Sequence, residues 1–232
     1  MNIESIATVR SCFGSKFATP RQPGLCPSAW GELIFHPPYR NADSIRGIEG
    51  FSHLWLIFGF HETIEQGWKP TVRPPRLGGN ERVGVFASRS TFRPNGLGLS
   101  LVTLEGIDTT SPEGPILQLG GIDLIDGTPI YDIKPYLPYA ESVPNARSGF
   151  ADEAIPRLKV EIAENAQNDF NKLSLRAQNL ILEALSLDPR PAVQTHHHDR
   201  SFGATLCEKN IRFAITEGTC LIIQITDFTA LS

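Results

Sequence analysis

Arg89, Ser90, Arg93 and Asn95 stand close together within the run Gly84 to Leu104, GVFASRSTFRPNGLGLSLVTL. A guanidinium offers a planar fork of donors and keeps its charge, so two of them four positions apart suit a phosphate or carboxylate. The same pattern also fits a hairpin loop with solvated arginines. Pro94 fixes the backbone beside them, and Gly96 and Gly98 permit positive φ or the close approach of a ligand to the main chain. His61-Glu62, after an apolar run, reads as a surface pair or as half of a metal site, but no third ligand stands at a recognisable spacing. Asp126-Gly127 and Arg21-Gln22-Pro23-Gly24 carry turn chemistry. His196, His197 and His198 sit in a polar stretch, Thr195 to Ser201, that reads as an exposed loop. No Ser/His/Asp ordering or G-x-S-x-G elbow marks a nucleophile. No G-x-G-x-x-G turn marks a doubly wound nucleotide fold either, since Gly96-Leu97-Gly98 leads into a strand-like run.

The elements that must position these residues are mostly β. Ile3 to Val9, Gly31 to Phe35, His53 to Phe60, Val83 to Ala87, Leu99 to Ile107, Ile116 to Leu124 and Thr128 to Ile133 are short runs rich in Val, Ile, Leu and Phe, bounded by turn formers. About seven strands without intervening helices predict a sandwich or barrel. His53 to Phe60 is apolar on both faces and predicts a central strand. Gln66 to Gly79, dense in proline and glycine, predicts a long surface loop. Beyond Gly149 the texture changes. Leu158, Val160 and Ile162 alternate as in a strand, and Phe170 to Leu185 repeats at helical spacing as one amphipathic helix ended by Pro189. Ile211 to Thr216 and Cys220 to Thr226 read as a hairpin turning at Glu217-Gly218. The expected division is a β domain, residues 1–149, followed by a small α+β module, residues 150–232.

Length and composition suit an ordinary soluble protein, with 232 residues of which 41% are hydrophobic and 20% charged. No signal-like N-terminus or long uncharged apolar run stands out, so the expected location is the cytoplasm, away from membranes. Cys12, Cys26, Cys207 and Cys220 form no C-x-x-C pair and read as reduced, structural thiols. The net charge of −4 argues against a protein that coats nucleic acid non-specifically. Between Gln66 and Arg93, however, Lys69, Arg73, Arg76, Arg82, Arg89 and Arg93 face a single acid, Glu81. A local basic patch on an acidic chain fits a polyanion that docks at one place, provided that the arginines share a face.

Six blocks then bear on one family: FATPRQPG (Phe17 to Gly24), GIEGFSHLWLIFGFHE (Gly47 to Glu62), VRPPRLGG (Val72 to Gly79), VGVFASRSTFRPN (Val83 to Asn95), DLIDGTPIYDIKPYLPYAES (Asp123 to Ser142) and DPRPA (Asp188 to Ala192). In this order they resemble the TsaA-like, or TrmO, family of S-adenosylmethionine-dependent tRNA methyltransferases. The resemblance implies a TsaA-like β-barrel domain that binds S-adenosylmethionine without a Rossmann motif, in a homodimer with the cofactor at its interface. It implies cofactor contacts at Arg21, Gln22, Pro23 and Gly24, at His61 and Glu62, at Arg89 and Leu99, and at Asp126, Gly127, Thr128 and Pro129. No metal is implied.

The implied reaction is methylation at N6 of adenosine 37 of a threonine tRNA that already bears a threonylcarbamoyl group. There the nitrogen belongs to a urea-like linkage and its proton is comparatively acidic, so alignment matters more than a strong base. No catalytic dyad stands out, and Arg89 and Asp126 are the positioning candidates. Arg73, Arg76, Arg82 and Arg93 are candidates for the tRNA phosphates, Phe92, Tyr131 and Tyr136 for the base pocket or equally for the core, and the C-terminal module for a further tRNA contact. Three positions depart from the family pattern: Gly96-Leu97-Gly98 where Pro-Ile-Gly is common, Val193 where an aromatic is usual, and Phe213 where Trp is favoured. Two other readings stay open, a module that binds cofactor or RNA without turnover, and a methyltransferase with another RNA or small-molecule acceptor.

Overall fold

A computed structural model describes residues 2–190 and 200–228, and by internal contacts the chain divides into two units. The first comprises Met1–Arg10, Gly31–Gly120 and Gly127–Ala154; the second comprises Ser11–Trp30, Gly121–Asp126 and Ile155–Ser232. His196, His197, His198 and Val193 lie outside the described residues.

In the first unit six strands close into a barrel: β1 (Ala7–Ser11), β2 (Trp30–Phe35), β3 (His53–Gly59), β6 (Leu97–Asp108), β7 (Ile116–Gly120) and β8 (Thr128–Pro135), in the order β1-β2-β7-β6-β3-β8. Alternation along each strand fills the interior, with Leu54, Leu56 and Phe58 of β3 joining Val9, Leu33, Val102, Leu117, Leu119 and Ile130. The apolar β3 is paired on both edges, with β6 and with β8, as its sequence predicts. The strand count is six and not seven. Val83–Ala87 is no barrel strand: only Val83–Gly84 (β5) pairs, with Thr71–Val72 (β4), and Val85–Ala87 then turns as a 3-10 helix. The reason is that Phe86 is turned out to solvent while Val85 alone is buried, so this apolar run has one inward residue and cannot fill a pleat. The segment Gln66 to Gly79 correspondingly contains the short strand β4 and a 3-10 turn, Pro75–Leu77, in place of pure loop. β1 begins later than Ile3, and β7 stops at Gly120.

Close packing between β3 and β6 needs a missing side chain. Phe58 faces Gly98 across the ladder, and a Cβ on Gly98 would lie 2.2 Å from its ring. On the other side of β3 the Tyr131 ring lies against Gly59, where a Cβ would come within 2.9 Å. Beyond β8 the short helix α1 (Pro138–Glu141) is fixed by Glu141, whose carboxylate accepts from Trp55 Nε1 at 2.9 Å and from the Leu137 amide at 2.7 Å.

The second unit is a four-stranded sheet, ordered β10 (Ser201–Leu206), β11 (Lys209–Thr216), β12 (Thr219–Asp227) and β9 (Lys159–Ile162), with α2 (Glu164–Asn171) and α3 (Leu175–Ser186) packed on it. The single helix expected over Phe170 to Leu185 is two helices. Ser174 caps the second by accepting from the Ala177 amide, which ends the continuity that the apolar spacing suggests. The hairpin turns at Glu217-Gly218, both at positive φ, and Phe213 is buried where it stacks with Phe17 and Phe202.

Within this unit α3 grips the segment 25–30. Glu183 accepts from both the amide and the hydroxyl of Ser28 at 2.9 Å, and Arg176 donates to the carbonyls of Ser28 (3.0 Å) and Ala29 (3.2 Å) over the face of Trp30. Arg157, which precedes β9, donates to Leu25 O at 2.7 Å. Charge-assisted bonds of this kind contribute about 1.5–3 kcal/mol each, and together they explain why Ser11–Trp30 groups with residues far along the chain. All four cysteines are free. Burial pushes the Cys12 thiol up to about 11 and those of Cys26 and Cys220 up to about 12, and it raises Cys207 as well.

Gly98→Ala is expected to cost about 1–3 kcal/mol by overpacking, read as a lowered urea midpoint, whereas Gly84→Ala, with open space at its Cβ, leaves the midpoint in place. The thiols give a pH prediction. Their protonated forms are favoured on folding, so the stability they contribute is full below about pH 9 and is lost as pH rises toward 12. Native protein at pH 8 should therefore leave Cys26 and Cys220 unalkylated by iodoacetamide, with labelling appearing on unfolding, and mass spectrometry checks it.

Candidate functional site

Antiparallel pairing decides which residues meet. β3 ends where β6 and β8 begin: Gly59 pairs with Leu97, Ile57 with Leu99, and Phe58 with Ile130. β1 ends there too, with Val9 opposite Thr128. One rim of the barrel therefore gathers His61 and Glu62 from the turn after β3, Leu99 from the start of β6, and Gly127, Thr128 and Pro129 from the start of β8.

The arginine loop is tied to the same rim. Phe60 N donates to Gly96 O at 2.8 Å, so the His61-Glu62 turn and the end of the loop are held by one bond, and Thr63 closes the turn by donating to Phe60 O. Arg89 Nη2 donates to Leu99 O at 3.1 Å. Arg89 itself is exposed, so the rest of its guanidinium fork is available to an anion, beside a Leu99 side chain that is 48% exposed. His61 and Glu62 are exposed and make no side-chain bond among the described residues. An immobilised cation, a carboxylate, an imidazole and an apolar side chain thus share one rim. That set can hold a zwitterionic ligand with a flat ring, through ion pairing, hydrogen bonds to hydroxyls and apolar contact.

Of the two uses open to the loop glycines, Gly96 takes positive φ, and the space beside both is filled by the protein itself. The space over Gly98 is filled by Phe58, and that beside Gly96 by Ile64, whose Cδ1 would lie 2.6 Å from an added Cβ. Gly127, whose amide donates to Val9 O at 2.9 Å, has open space on its Cβ side.

The other implied contacts belong to the second unit. Gly24 N donates to Gly121 O at 2.8 Å, which orders the Arg21-Gln22-Pro23-Gly24 turn, and Arg21 is exposed. The Asp126 amide donates to Phe13 O and its carboxylate accepts from Ser11 N at 2.9 Å, while the residue stays exposed. Arg190 of the Asp188-Pro189-Arg190 run is buried and held by a two-pronged bond to Asp188 at 2.8 Å, which raises its pKa and gives that run a structural part; residues 191 and 192 lie outside the described residues.

The candidate phosphate contacts are not equivalent. Arg73 is exposed with no partner among the described residues. Arg76 donates to Glu153 O, and Arg82 donates to Thr71 Oγ1 at 3.2 Å. Arg93 turns into its own loop, where Nη1 donates to Ser88 O at 2.9 Å and Val85 O at 3.3 Å. Of the aromatic candidates, Phe92 lies under Lys69 Nζ at 4.0 Å, Tyr131 packs on Gly59, and Tyr136 meets Trp55 and His53 edge-on. Two aromatic residues that sequence patterns did not single out, Trp68 and Phe86, are exposed beside the basic residues. An apolar residue that faces outward has no signature in periodicity, and only the turn geometry shows it.

Comparisons with known proteins bear on the family and the fold. The family model described as the tRNA-methyltransferase O N-terminal domain matches residues 8–142, and the TrmO C-terminal domain model matches residues 155–228. An Escherichia coli (strain K12) protein named tRNA (adenine(37)-N6)-methyltransferase is 48% identical over 220 residues, 92% of this chain and 93% of its own. A Pseudomonas aeruginosa (strain PAO1) relative named for S-adenosylmethionine-dependent methyl transfer is 45% identical, over 91% of each chain. The crystal structure of TrmO from Pseudomonas aeruginosa superposes with a TM-score of 0.80 at 36% identity, covering 97% of this chain and 98% of that one. With both domain models in sequence order and near end-to-end likeness in sequence and fold, the chain belongs to the TrmO family of tRNA methyltransferases, enzymes built on a β-barrel.

Proposed function

We propose that this enzyme methylates N6 of threonylcarbamoyladenosine at position 37 of threonine tRNA, with S-adenosylmethionine as methyl donor. The observation that carries the reading is the 48% identity over nearly the whole of both chains with the Escherichia coli protein named for transfer to adenine 37 N6. The rim described above supports it: the fixed Arg89, the exposed His61 and Glu62 and the exposed Leu99 are a set that fits a methionine carboxylate, ribose hydroxyls and a purine face.

S-adenosylmethionine, when bound, supplies a methyl carbon activated by a positively charged sulfur. The chain's own part is to bind and to orient. Arg89, held by Leu99 O, pairs with the carboxylate; Glu62 accepts from hydroxyls; Leu99 covers the purine; and Thr128 and Pro129 line the same rim. Arg21, Gln22, Pro23, Gly24, Asp126 and Gly127 stay assigned to the cofactor through the resemblance. Arg73, Arg76, Arg82 and Arg93 take phosphates of the anticodon loop, and residues 150–232 add a tRNA contact. The threonylcarbamoyl carbonyl acidifies the N6 proton, which leaves to solvent, so the rim serves by alignment without a dedicated base. We assign the working form to a homodimer in the cytoplasm. The exposed Leu137, Tyr139 and Val143, in and on either side of α1, supply apolar surface for such an interface.

The test is methyl transfer from labelled S-adenosylmethionine to threonine tRNA, with and without its threonylcarbamoyl group, followed by nucleoside mass analysis. Methylated threonylcarbamoyladenosine formed only from the modified tRNA is the expected product; methylation of unmodified adenosine, or none, overturns the acceptor assignment. Arg89→Ala is expected to weaken cofactor binding about 10- to 100-fold, by calorimetry, while leaving the urea midpoint unchanged.

A further inference from the structure

The turn Val85–Ala87 holds an aromatic ring out of the protein by construction. Val85 is 1% exposed and anchors the turn, and its amide donates to Pro70 O at 3.0 Å. Its carbonyl accepts from Ser88 N, Ser88 Oγ and Arg93 Nη1, and Ser88 O accepts from Arg93 as well. With the backbone fastened on both sides, Phe86 between them is 74% exposed. The Arg93 guanidinium lies 5.7 Å from the centroid of its ring, backing it with a cation. The surroundings are basic. Lys69 N donates to Phe92 O and Val85 N to Pro70 O, which brings the stretch 68–70 against the loop, and Arg73, Arg82 and Arg89 are exposed on the same connected segments.

A fixed ring with a cation behind it and an open face suits a flat π system, and the positive surroundings suit a phosphate chain. Both belong to an unpaired stretch of RNA, whose bases are free to leave the stack, and not to a paired helix. We propose that Phe86, backed by Arg93, is a stacking platform for an unpaired base of the anticodon loop beside the acceptor adenosine. This rests on the tRNA reading above. Arg93 then fixes the platform through Nη1 and turns the rest of its fork to the phosphates, with Arg73, Arg76 and Arg82.

The experiment compares wild type, Phe86→Ala and Phe86→Trp, measuring binding of an anticodon stem-loop RNA and of a fully paired hairpin without cofactor, then KM and kcat with the threonylcarbamoylated stem-loop. Loss of one base stack is expected to raise Kd and KM for the stem-loop about 5- to 150-fold in Phe86→Ala. kcat, cofactor affinity and binding of the paired hairpin stay unchanged, and Phe86→Trp restores the stem-loop values. Unchanged stem-loop binding, an equal loss for both RNAs, or no rescue by Trp overturns the platform. So does a Phe86→Ala protein that sediments as a smaller species, since the ring would then be a contact between copies of this chain. If wild type binds the stem-loop but does not methylate it, the reaction assigned above falls while the binding comparison still decides the platform.

Discussion

The closed barrel is the constraint on which the site depends. Because β3 is paired on both edges, its direction and register are fixed, and its C-terminal end must lie beside the first residues of β6 and β8. Those pairings bring His61, Glu62, Leu99 and Thr128 to one rim although they are far apart in sequence. The register in turn rests on Gly98 facing Phe58: only a residue without a side chain leaves room for the buried ring there. The loop glycine that looks suited to approach a ligand thus serves the barrel, and the site inherits its geometry from that contact.

The loop arginines divide their labour by where their donors go. Arg93 spends bonds on carbonyls of its own loop and therefore shapes it. Arg89 donates to Leu99 O, which aims the guanidinium without consuming it. Arg73 is left without a protein partner among the described residues. A residue bound at several points loses little entropy when a ligand arrives but has few donors left, and an unbound one has the reverse balance. These two connected segments contain both kinds between them, which is how they can be rigid and still present charge.

Much of the fold was legible because it follows local rules. β3 and β8 appear where branched and aromatic residues run between turn formers, and Glu217-Gly218 turns the hairpin that its residue types require. What sequence did not show has physical causes. Val83 to Ala87 has the composition of a strand, but Phe86 faces out and the run bends after Gly84. Phe170 to Leu185 keeps helical spacing through a break, because the cap at Ser174 restarts a helix nearly in phase with the one before it. The grouping of Ser11–Trp30 with the second unit depends on Glu183, Arg176 and Arg157 reaching carbonyls and a hydroxyl across more than a hundred residues, and such bonds leave no periodic trace. The rim residues were legible only through block resemblance: histidine, glutamate and leucine are ordinary until pairing places them together.

The exposed apolar groups near the rim bear on how such an enzyme divides stability from function. Leaving a large apolar side chain in water forgoes about 1.5–3 kcal/mol that burial would contribute, and Trp68, Phe86 and Leu99 are each about half exposed or more. An isolated exposed residue needs no account, but these belong to segments joined to one another and to β3 by backbone bonds, at Lys69 to Phe92, Val85 to Pro70 and Phe60 to Gly96. A loop that merely avoided burial would be mobile. This one is fastened by backbone bonds with its apolar groups outward, so part of its ordering precedes any partner. That lowers the entropic cost of binding a flexible RNA, whose own ordering is already expensive, and it places the stabilising work in the barrel so that the rim is free to remain unsatisfied.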